Sequence, residues 1–98
     1  MTTDDLRRHH MEQRLIILAA IDDALRRHAE VLPVIIGATD RNAARAAVAK
    51  LLGVEHIAAV AVLDLQWNRL TEAGRAAIAA ERAQLEASLN PPGAPAPG

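Results

Sequence analysis

Residues 58–71 read AAVAVLDLQWNRLT, and the helical period of this run decides the fold class. With the residues before it, the run predicts a helix over about residues 55–70. On that helix Val60, Leu63, Trp67 and Leu70 follow 3-4-3 spacing and share a face, while Val62 and Leu65 lie elsewhere on it. One face can then serve the chain's own core and the other a second subunit. The alternative is that all six fill a single monomeric core.

Working outward, Thr3 or Asp4 offers an N-cap for a first helix to about His28, with Met11, Leu15, Leu18 and Leu25 in one stripe. Ile17, Ile21 and Ala24 widen the stripe, and a helix apolar on two sides expects neighbours on two sides. Residues 30–36 read as a short second helix with Pro33 in its first turn and Gly37 as its C-terminal cap. Thr39 or Asp40 caps a third helix ending near Leu52, which Gly53 terminates, and Thr71 caps a fifth reaching about Leu89. The fold class is all-α with about five helices. Residues 1–89 make one helical domain, and residues 90–98, NPPGAPAPG, make a Pro/Gly-rich tail expected to be flexible.

Composition narrows the function classes. Twenty-two of the 98 residues are alanine and there is one aromatic, Trp67. Alanine favours helix but removes little apolar area from water, so a monomer has a thin core and self-association is the natural remedy. A net charge of −1 leaves no electrostatic footprint for nucleic acid or an anionic membrane. There is no cysteine for a disulfide, a thiolate or a zinc finger, and no signal-peptide or membrane-spanning run, so the chain reads as soluble and cytoplasmic.

Candidate chemistry is sparse. Asp64 stands between Leu63 and Leu65, but no nucleophile or ligand set accompanies it, and it reads as a partner for Arg45 or Arg69 or as a solvated residue. His9 and His10 are neighbours that point about 100° apart on a helix, and neither His28 nor His56 follows metal-ligand spacing, so no metal and no cofactor is expected. Asp22 and Asp23 read as a solvated face paired with Arg26 and Arg27 at i,i+4. Ser88 is the only serine and the glycines are isolated, which leaves no hydroxyl triad and no phosphate loop. The chain reads as non-enzymatic.

The central run resembles a segment of the A subunit of DNA gyrase and topoisomerase IV, where QAxAILDMRLxRLT builds the dimer interface of the exit gate. The gapless similarity extends from about Arg8 to Leu89. Ile17 and Leu18 match the HILEGL segment, Ala44 and Arg45 the EAR, Leu63 and Asp64 the ILDM, and Arg69, Leu70 and Thr71 the RLT. Arg75, Ile78 and Glu81 follow the LERxKIxxE continuation. The glutamine of QAxAI is lost at Ala58–Val62, which read AAVAV, and the Thr-x-x-Glu capping box becomes Thr71-Glu72-Ala73-Gly74, so glycine weakens that first turn.

The resemblance implies that the first and fifth helices pair as a shortened antiparallel hairpin, a small coiled coil, carrying a three-helix knob. Two knobs would meet about a twofold axis, with Ile57, Val60, Leu63, Trp67 and Leu70 in contact and Trp67 as anchor. Those enzymes cut DNA with a tyrosine hydroxyl, and this chain has no tyrosine. The implied function is a non-catalytic homodimerisation module, with the gyrase A subunit as a candidate second partner. The rival is a helix-turn-helix DNA-binding protein using residues 43–66, in which Gly53 makes the turn. The apolar residues 57–65 and the acidic Asp64 are a poor reading face, so DNA is not expected as a partner of the chain alone.

Overall fold

A computed structural model of the chain describes residues 2–90, without the side chain of residue 67. The expectations for Trp67 as anchor and for the tail beyond Asn90 lie outside what is described. Five α-helices follow one another: α1 Thr3–Arg26, α2 His28–Ile36, α3 Arg41–Leu52, α4 His56–Leu63 and α5 Glu72–Leu89. A 3-10 helix, Trp67–Leu70, stands between the last two. No strand occurs among the described residues, and the fold is all-α.

Local signals account for most boundaries. The Thr2 hydroxyl accepts from the amide of Asp5, whose carboxylate accepts from the amide of Thr2, a capping box that starts α1 one residue before the expected cap. The Asp40 carboxylate accepts from Ala43 and the Thr71 hydroxyl from Gly74, which start α3 and α5. Gly53 ends α3 at φ 66°, a left-handed conformation that glycine takes without a side-chain clash. Gly37 follows α2 at φ −78° instead, so its expected capping role does not use that freedom.

Two expectations fail. Pro33 is not in the first turn of α2, which begins at His28 and holds the proline in its interior. The missing N–H would have bonded Ala29, which is exposed, so water can take the carbonyl. The helix over residues 55–70 is not continuous either: α4 stops at Leu63, and Gln66 is extended at φ −81°, ψ 144° before the 3-10 helix. The gain is visible at Leu63 and Leu65, which line the same cleft. On an unbroken helix they would point about 200° apart.

α1 is packed on two sides. Leu18 and Leu25 cluster with Ile78 of α5, joined by Leu65, Leu70 and Leu85. Ala20 and Ala24 enter a second cluster with Val31, Val48, Ala58, Ala59 and Val62, contributed by α2, α3 and α4. Leu70, just before α5, lines a cleft with Leu25 near the end of α1, and Glu81, further along α5, pairs with Arg14 further back on α1, so α5 returns antiparallel along α1. The hairpin therefore carries α2, α3 and α4 at one end. No single helix among the described residues is long and apolar enough to cross a membrane. α3 and α4 together approach that composition but are bent by 113°.

Gly74 has a tertiary reason. A Cβ there would lie 2.7 Å from the carbonyl oxygens of Asn68 and Arg69, so the 3-10 helix can lie against α5 only if residue 74 has no side chain. Gly74→Ala, which raises intrinsic helix propensity, is expected to lower stability by about 1–3 kcal/mol through that clash. Gln66→Pro suits the observed φ, and among the described residues the amide of Gln66 makes no hydrogen bond. It is expected to be neutral or to stabilise by up to about 1 kcal/mol, whereas an unbroken helix would lose about 3 kcal/mol or more. Urea midpoints of the two variants against the native chain check both statements.

Candidate interaction surface

The helix order leaves a gap where α2 and the segment after α4 both approach the end of α1. α2 contains the unbroken apolar run VLPVII, and six such residues on one short helix cannot all face one core. Val31 is buried, Leu32, Val34 and Ile35 are half-buried, and Pro33 is exposed. Ile36 is 80% exposed, the most accessible large apolar side chain among the described residues. Between α2 and the chain leaving α4 lies a cleft of about 190 Å³, walled by Leu25, Leu32, Ile35, Leu63, Leu65 and Leu70, with His28 and Gln66 as its polar members.

The five residues singled out from the sequence separate here. Leu63 and Leu70 both line the cleft and are half-buried. Val60 is half-buried on α4, and Ile57 is 57% exposed near the start of that helix. Because α4 ends at Leu63, Trp67 and Leu70 are not on its face, and the 3-4-3 stripe expected through Val60, Leu63, Trp67 and Leu70 does not exist. The break sends Leu65 toward Leu18, Leu25 and Ile78 and brings Leu70 back beside Leu63. Sequence reasoning missed Leu32, Ile35 and Ile36 as surface residues. The signal was the uninterrupted apolar run in α2, too long for one face of a short helix.

The polar groups serve the scaffold. Asp22 is 3% exposed, so the solvated face expected for it is wrong. Its carboxylate accepts from Arg82 Nη1 at 2.9 Å across from α5, and Arg26 one turn along α1 lies at 3.2 Å. Arg82 also reaches Asp23 at 3.2 Å and Glu86 at 2.9 Å, and the hydrogen bond to Asp22 is the first cause holding its guanidinium above its ordinary pKa. Asp23 is thus held by Arg82, while Arg27 turns to Glu30 at 2.8 Å and to the carbonyl of Leu51. Asp64 is exposed and pairs with Arg41 at 2.8 Å, not with Arg45 or Arg69.

The histidines do not converge. The rings of His9 and His10 are 6.3 Å apart at 49°, and His28 Nδ1 meets the carbonyl of Leu25 at 2.8 Å at the corner between α1 and α2. Among the described residues no group of three or more His, Cys, Asp or Glu is placed to hold a metal ion. The arrangement offers apolar contact area, bordered by ion pairs that are already satisfied within the chain. No protein-family model matches the chain, and no curated protein matches it.

Two outcomes test the polar assignments. Asp22→Ala removes a buried carboxylate and leaves Arg82 without its main partner, so it is expected to cost about 1–3 kcal/mol in urea unfolding. Asp64→Ala at the exposed pair should stay within about 0.5 kcal/mol. The hydrogen bond from Arg27 lowers the Glu30 pKa, so the pair's contribution is complete above the unfolded carboxylate value and is lost as pH falls through the lowered folded value. Glu30→Gln should therefore shift the urea midpoint slightly at neutral pH, and the shift should vanish well below about pH 4.

Proposed function

We propose that the chain is a non-catalytic homodimerisation module in which two copies meet through the knob formed by α2, α3 and α4. The observation that carries this reading is the uncovered apolar surface of that knob, where Ile36 and Ile57 are exposed and a separate set of residues, mostly leucines, walls a cleft. The core adds a reason for association. Among the described residues, five of the twelve buried apolar residues are alanines, so burial within one chain removes little area per residue. A second copy about a twofold axis would cover the same patch on both chains without a further partner.

The antiparallel pair α1 and α5 with its terminal knob is the shape that the resemblance to the exit gate of type IIA topoisomerase A subunits implies. In this reading the chain keeps the interface and omits the cutting tyrosine. The gyrase A subunit is the second partner to test, because an apolar knob of this kind could exchange with the enzyme's own gate. The glutamine missing at residue 58 bears on the same point, since altered interface residues can insulate two related dimers from each other.

The helix-turn-helix reading has one observation in its favour, the 113° bend from α3 to α4 across the left-handed Gly53. The surface of α4 weighs against it. Its exposed residues are His56 and Ile57, with Glu55 before it and Asp64 after it, and none is a lysine or arginine that would approach phosphate or a base edge.

Light scattering over a dilution series is expected to show a dimer that Ile57→Asp or Trp67→Ala weakens at least tenfold, about 1.4 kcal/mol, with helical circular dichroism unchanged. A native chain that is monomeric at every concentration overturns the proposal. In the same preparation, binding to duplex DNA should be no stronger than the non-specific level at physiological salt. Recovery of the gyrase A subunit on immobilised chain, lost with Ile57→Asp, would identify it as a partner; no recovery would confine the interface to the chain itself.

A further inference from the structure

We draw no further inference here: the strongest candidate, the apolar cleft between α2 and the segment that follows α4, belongs to the surface already described, and nothing in the structure shows what else covers it.

Discussion

α1 must satisfy two partners at once, and the rest of the molecule is arranged around that requirement. Leu18 and Leu25 face α5, Ala20 and Ala24 face the knob, and Ile21 packs against both clusters. The sizes of these residues divide the work. Alanines line the side toward α4, where Ala58 and Ala59 are fully buried, and leucines line the side toward α5. Asp22 lies between the two sides, and its carboxylate receives Arg82 from across the hairpin. Apolar contact supplies the area, and the buried Asp22 carboxylate restricts how the arms can sit against each other, since leaving it without a cation is costly.

The second constraint is the close passage of the 3-10 helix over the start of α5. It depends on Gly74, and it lets the chain leave α4, place Leu65 against Leu18 and Leu25, and begin α5 alongside α1 within a few residues. The glycine that weakens a capping box in the sequence is thus the residue that allows the packing. Close approach of one backbone to another is a property of two segments, so helix propensity alone misjudges it.

The same economy explains the surface. Small buried residues make short interhelical distances and a narrow core, which cannot also cover an apolar helix such as α2 on all sides. Large side chains are therefore left at the cleft, Leu32 and Ile35, and on the surface, Ile36. The charged residues near this region are paired within the chain, Arg27 with Glu30 and Arg41 with Asp64.

The signals carried by one or two residues were legible in the sequence. Asp40 and Thr71 act as caps, Gly53 takes a positive φ, and an all-α chain of about five helices follows from them. Each is a local bond or a local steric allowance, complete within one turn of helix. Tertiary structure alone decided the break after Leu63, the burial of Asp22 and the separation of Ile57 from Leu70. No glycine or proline marks residues 63–66, and on its own period the segment would continue as helix. It stops because Leu65 has a better place against α1 and α5 than on a straight α4, and an energy that depends on a distant helix leaves no mark in the local sequence.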